Sequence, residues 1–260
     1  MAFTVHAVMP GVWHIVDCMG VCMTLLVGAK QALLIDTGYG VEDVLSFVRT
    51  LTELPVRVIL THGHHDHALG ARWFARTEMF ADDQEDFLTY TSERQRRAVL
   101  AGAHRRGIEV DDNAFLCAAI PTPDALAEQC IDLGGLTAQI IHAPGHTPGS
   151  AVVFVPERSL LLTADDWNPC TWLFFPRALP VKEYRQTLRG LMSLPFQHVL
   201  CSHQPTLFDR NTMVEFVDHL TDENLFAAHP VDIPPYLQVN TLQAAMGEGQ
   251  ILVFDGDKLY

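Results

Sequence analysis

VRVILTHGHHDHALG, residues 56–70, runs from an apolar strand straight into four histidines and one aspartate. Such a cluster suits a metal site, an acid/base group or a polar loop rich in histidine. Its order favours a metal. Imidazole nitrogen and carboxylate oxygen suit zinc and neighbouring divalent ions. In an extended segment His62 and His64 point the same way and can share one ion. Asp66 and His67 lie past the turn, within reach of a second ion, while His65 points away from its neighbours and is not expected to be a ligand. Gly63 and Gly70 are read as giving the loop freedom to wrap around the metals.

Two ions need more ligands than this loop holds, so distant partners should close other strands. Three candidates do so. APGHTPGS (143–150) sets His146 in a Gly/Pro turn after an apolar strand, LLLTADD (160–166) ends on Asp165, and VLCSHQP (199–205) ends on His203. Asp166, one step further along an alternating strand, should face the other side.

The rest of the chain reads as layers of helix on sheet. A hairpin, a buried strand and QALLIDTG precede an amphipathic helix whose apolar positions are Val41, Val44, Leu45, Val48 and Leu51. Residues 82–113 are polar and helix-favouring and read as a helical insertion, either a cap beside the site or a surface helix with no role in it. Four strands, a helix (VKEYRQTLRGLMSL) and the strand QHVLCSH follow. The tail reads as one long helix, NTMVEFVDHLTDENLF, then a Pro-containing turn, a short apolar segment and a final strand. No Gly/Ser linker or low-complexity tract divides residues 1–260, which implies a single domain.

Composition narrows the function. Of 260 residues 48% are hydrophobic and 18% charged, a globular balance, and the formal net charge of −14 disfavours nucleic acid or an anionic membrane as partner. No apolar run is long enough to span a bilayer, and the N-terminus lacks the basic start of a signal peptide, so a cytoplasmic protein acting on a small molecule is expected. The six cysteines lack CxxC spacing and are expected to be free and mostly buried.

TxHxHxDH preceded by DTG (Asp36 to Gly38), followed by PGHTPG, a strand-terminal Asp and a late SH, resembles the metallo-β-lactamase superfamily over residues 36–203. The resemblance implies an α/β (α+β) fold, a four-layer αββα sandwich of two mixed sheets flanked by helices. It implies that His62, His64 and His146 bind one ion, that Asp66, His67 and His203 bind the second, and that Asp165 bridges them. It also gives Asp36 the role of orienting a ligand. One departure is visible: Ala164 stands where the family usually has glycine before the bridging Asp.

The ligand set looks most like the glyoxalase II and lactonase branches rather than true β-lactamases, which are usually exported and typically lack this bridging Asp. Two divalent ions, zinc first with manganese(II) or iron(II) as alternatives, would activate water near neutral pH. Asp66 is the best-placed proton acceptor or donor. The expected reaction is hydrolysis of a thioester, ester or lactone. Phosphodiester hydrolysis is the second reading and iron-dependent redox chemistry a third. The tail has almost no basic residues, which argues against glutathione. For substrate contacts, the aromatic loop DDWNPCTWLFFP (165–176) offers Trp167 and Trp172, with Phe174 assigned to the core; Tyr39, after the DTG turn, is a further candidate.

Overall fold

The computed structural model describes residues 3–233 and 239–260. Its first sheet has seven strands: Thr4–Met9, Val12–Val16, Cys22–Val27, Ala32–Ile35, Val56–Ile59, Glu78–Met79 and Asp124–Ala125. The second has six, in the order Phe208–Asp209, His198–Cys201, Leu160–Ala164, Ala151–Val155, Thr137–His142 and Gln129–Asp132.

Period-two alternation sorts the strand side chains into layers. Val153, Val155, Leu160, Leu162 and Leu200 point between the sheets, where they meet Val12, Leu26, Leu33, Ile35 and Ile59. Their neighbours Val152, Phe154, Leu161 and Val199 point outward onto the helices Val181–Leu191 and Arg210–His219, through Tyr184, Leu188, Phe216 and Val217. On the far side Leu25, Leu34 and Val58 pack against Val44 and Val48 of the helix Val44–Leu51. Helix, sheet, sheet and helix are thus stacked as four layers. Strands with both faces covered read as unbroken apolar runs, which is why LLLTA and AVVFV show no polar side.

Each sheet contains one parallel pair that matters for chemistry. Ala32–Ile35 lies beside Val56–Ile59, with Ile35 opposite Ile59. Leu160–Ala164 lies beside His198–Cys201, with Ala164 opposite Cys201 after a register shift. The carboxyl ends of these four strands deliver Asp36, the histidine loop, Asp165 and His203 to one edge.

The C-terminal part differs from expectation. A third, four-stranded sheet joins Cys170–Leu173, Ile251–Asp255, Thr241–Ala245 and His229–Pro230. The short apolar segment of the tail is therefore a strand, Thr241–Ala245. The long tail helix is two, Arg210–His219 and Asp222–Phe226, because Thr221 turns extended and its hydroxyl caps the amide of Asn224. Residues 234–238 of the Pro-containing turn lie outside the described residues. The segment 82–113 is helical, as Gln84–Tyr90, Glu93–Arg105 and Asp112–Cys117. All six cysteines are free, but only Cys22 and Cys201 are buried; Cys18 is half-buried and Cys117, Cys130 and Cys170 are exposed. Apolar sequence neighbours misled here, since a cysteine in an edge strand or helix end can face out. Among the described residues no helix is long and apolar enough to cross a membrane.

Ala164 has φ of 47°, in the left-handed region. A β-carbon there is strained, which accounts for a glycine being favoured at this place. Ala164→Gly is expected to raise stability by about 0.5–1 kcal/mol, a Tm gain of about 1–4 °C in thermal melts. A fall in Tm would show that packing of the buried methyl outweighs the backbone strain.

Candidate metal centre

The strand Val56–Ile59 stops before the histidines, so they occupy a loop and then a short helical turn, His65–Ala68, that carries Asp66 and His67. His62, His64 and His146 are buried and bring one ligand atom each within 4.8 Å of one another. Asp66, His67, Asp165 and His203 form a second group within the same limit. All seven residues singled out in the sequence are in these two groups, and His65 is in neither.

Asp165 sits between the groups. Its Oδ2 is 3.6 Å from Nε2 of His146 and 3.0 Å from Nε2 of His203, and its Oδ1 is 3.4 Å from Nε2 of His67. Asp66 Oδ2 lies 3.6 Å from Nε2 of His67 and 3.7 Å from that of His203. Asp166 does face away, accepting the amide of His146 at 3.2 Å.

Hydrogen bonds set which ring nitrogen is left bare in three of the histidines. His67 Nδ1–H donates to Asp36 Oδ2 at 2.9 Å. Asp36 also accepts the amide of Thr61 at 2.7 Å and the Thr61 hydroxyl at 2.8 Å. With its proton committed to that carboxylate, Thr61 Oγ1 accepts from His62 Nδ1–H at 3.1 Å. His146 Nδ1–H donates to the carbonyl of Trp172 at 2.7 Å. The opposite nitrogens of all three rings therefore present lone pairs to the cluster. Asp36 thus orients one histidine in each group, directly for His67 and through Thr61 for His62. It does so from φ of 65°, a left-handed conformation that Asp tolerates better than most side chains.

Three buried atoms at the centre have no hydrogen-bond partner among the described residues: His62 Nε2, His67 Nε2 and Asp165 Oδ1. Leaving buried polar atoms unpaired is costly, and three convergent acceptors fit a cation rather than a proton donor of the chain. Burial and the neighbouring histidines hold His62 and His64 well below the usual imidazole range, which keeps them neutral. Burial opposes protonation of His67 too, but Asp165, Asp66 and Asp36 outweigh it and raise its pKa well above the usual value, so a cation would displace a proton from its Nε2 to use that lone pair. Burial would raise Asp165, yet His203 and His67 pull it far below the ordinary carboxylate range.

The aromatic assignments need correction. Trp167 is fully buried among Leu173, Tyr184 and Phe216 and belongs to the core, because Thr163 bonds its carbonyl and the loop tucks it under the helix Val181–Leu191. Trp172 is 42% exposed and stays available. Phe174 is core, as expected. Tyr39 is half-buried and packs edge-on with His65, ring centroids 5.4 Å apart.

Three residues join the site beyond the candidates named from the sequence: Phe175, which lies in the aromatic loop 165–176, and Tyr90 and Asp83, which carry no signal of their own. Phe175 and Tyr90 both pack on His64, with ring centroids at 4.5 and 4.3 Å, and touch each other edge-on at 6.4 Å. Asp83, fully buried at the start of the helical insertion, accepts from Gly63 and Thr147 on one oxygen and Gly149 on the other, at 2.7, 2.9 and 2.6 Å. Burial pushes its carboxyl up to about 6 against those three donors. Nor is Gly63 there for freedom to wrap around a metal: a β-carbon would meet the backbone of Phe87, and one at Gly70 would meet the carbonyl of Thr37.

The metallo-beta-lactamase superfamily model matches residues 16–203, and the chain belongs to that family. Among curated proteins, hydroxyacylglutathione hydrolase GloC of Haemophilus influenzae is 29% identical over 151 residues, which cover 55% of this chain and 65% of that protein. Human acyl-coenzyme A thioesterase MBLAC2 is 25% identical over 194 residues, covering 65% of this chain and 66% of that one. The chain thus spans just under two thirds of each. A metallo-beta-lactamase family protein of Thermus thermophilus superposes with a TM-score of 0.60 at 21% identity, covering 85% of this chain and 82% of that structure. TTHA1623, solved in a di-iron-bound form, gives 0.53 at 25%, covering 75% and 92%.

The two tryptophans give a direct check. Trp167→Ala should cost about 3–5 kcal/mol of stability, as expected for emptying a core site. Trp172→Ala should change stability by no more than about 0.5 kcal/mol, because its contact to His146 is through the backbone. Equal stability losses in chemical denaturation would show that Trp172 is core as well.

Proposed function

We propose that the chain is a dinuclear metal-dependent hydrolase of a small-molecule acyl bond, a thioester, ester or lactone. The observation that carries this reading is Asp165, one carboxylate that reaches both groups, His146 on one side and His67 and His203 on the other. His62, His64 and His146 would hold one cation and Asp66, His67 and His203 the other, zinc fitting this nitrogen and oxygen set best. Bound there, the cations supply Lewis acidity, which makes water nucleophilic near neutral pH and polarises the bond under attack.

The protein's own residues do the rest. Asp36 and Thr61 fix the tautomers of His62 and His67, so that the lone pairs are aimed before any ligand arrives. Tyr90 and Phe175 exclude water from the face of His64. The second group is the open one: the His203 side chain is 38% exposed, against 2% for His146. Substrate is therefore read as entering over Asp66 and His203. Asp66, held ionised by His67, His65 and His203 against its burial, can take up a proton on the carboxylate oxygen not used to hold a cation and return it to the leaving group. Trp172, exposed and with its ring centroid 6.3 Å from that of Phe175, would wall an apolar acyl group on the His146 side, and Tyr39, edge-on to His65, would line the site beside Asp66.

Acyl chemistry is favoured over a phosphodiester by the acidic surface and by the relatives, which are named for hydrolysis of hydroxyacylglutathione and acyl-coenzyme A. Elemental analysis should find close to two metal ions per chain, one for each group; a single ion would remove the dinuclear reading. Asp165→Ala should lower kcat/KM by more than the about 10–100-fold that loss of an outer hydrogen-bond partner costs a metal site. In a panel of acyl thioesters, lactones, a chromogenic β-lactam and bis-p-nitrophenyl phosphate, turnover should be confined to the first two. Turnover of the phosphodiester alone would replace acyl hydrolysis by the second reading.

A further inference from the structure

The helical insertion does more than lie beside the site: its first turn is built into the two loops that carry the three-histidine group. Gly63 stands between His62 and His64, and Thr147 and Gly149 follow His146. Asp83 accepts a hydrogen bond from each, on two oxygens of one carboxylate. The two amide donors belong to buried loop backbone and have no other partner among the described residues, so Asp83 alone satisfies them.

The approach is backbone-close on both sides. A β-carbon at Gly149 would stand 2.7 Å from the amide nitrogen of Asp83, and one at Gly63 would meet the backbone of Phe87 in the helix Gln84–Tyr90. Asp86 and Glu85, in the first turn of the same helix, grip Arg177, whose loop carries Phe175. The helix ends at Tyr90, on His64. No such clasp touches the second group: among the described residues, Asp66, His67, Asp165 and His203 make no hydrogen bond to residues 81–91.

We propose that Asp83 is a positioning residue through which the insertion fixes the spacing of the His62/His64 loop against the His146 loop, and so sets the cation affinity of the three-histidine group independently of the second group. This rests on the two-metal reading above. Asn at position 83 would keep the shape but turn one acceptor into an NH2 facing a donor, so at least one loop would be released. The tautomers of His62 and His146 would not change, because those are held by Thr61 and Trp172.

The test uses cadmium as the probe on the full chain, with 113Cd NMR resolving the two sites and chelator competition giving each affinity. Asp83→Asn should weaken one site by about 10–100-fold, the range typical of outer hydrogen-bond partners of ligands, and leave the other within about threefold. Thr147→Val, which removes the 2.9 Å hydroxyl contact to Asp83, should weaken the same site, and Thr147→Ser should restore it. Should Asp83→Asn fail to fold, the two Thr147 variants decide alone. Both sites at wild-type affinity, or both weakened alike, would overturn the proposal. A single resonance in the wild type would instead overturn the two-metal reading, and Asp83 would still be judged by whether that resonance weakens.

Discussion

The centre depends on one buried carboxylate. Asp36 occupies the turn where the strand Ala32–Ile35 ends, and it accepts from Thr61 twice and from His67 once. Those bonds join the end of one strand to the end of its parallel neighbour and to the helical turn beyond. Because Thr61 passes the constraint to His62, a single anion fixes a ring in each of the two ligand groups. A neutral side chain at this place could not accept from all these donors at once. The left-handed backbone at Asp36 is the local strain that accompanies the arrangement.

The second sheet solves the same problem with other residues. There too a parallel pair, Leu160–Ala164 and His198–Cys201, ends at the site, and there too the strand end turns left-handed, here at Ala164 with φ of 47°, one residue before the carboxylate rather than at it. Parallel strands project their carboxyl ends to one edge, so two sheets packed face to face bring four such ends together. The apolar layer between the sheets, from Val12 and Leu26 to Val153 and Leu200, keeps those ends in register. Core packing and site geometry are consequently one constraint, not two.

This explains what could be read from the chain. The candidate ligands were legible because the seven metal-capable residues all stand at the ends of largely apolar strands or in the loops these feed, most plainly after Leu160–Ala164, which is buried on both faces. Contacts made across the fold leave none. Asp83 lies in a polar, acidic stretch (DDQED) that reads as helix surface, yet it is fully buried. Trp167 and Trp172 share one loop, and nothing local says that the first turns under a helix while the second joins a strand of a third sheet. Gly63 shows the same limit: a glycine between two histidines suggests a supple loop, whereas the reason lies in the backbone of Phe87, more than twenty residues on.

The two groups are unequal, and the inequality has a physical logic. The three-histidine group carries no carboxylate of its own and is enclosed by Tyr90, Phe175 and the Asp83 clasp. Neutral imidazoles tolerate such enclosure, since burial disfavours only their charged form, and His62 and His64 are held neutral by it. The second group holds Asp66, shares Asp165 and is open at His203. Carboxylates need either water or compensating cations when removed from bulk solvent, so the acidic group belongs at the mouth and the neutral one in the interior. The proton transfer proposed for Asp66 would need the same placement, because a base sealed inside could neither meet substrate nor exchange its proton with water. The enclosure of one group and the exposure of the other therefore follow from the chemistry of their ligands, and the helical insertion is the element that enforces the difference.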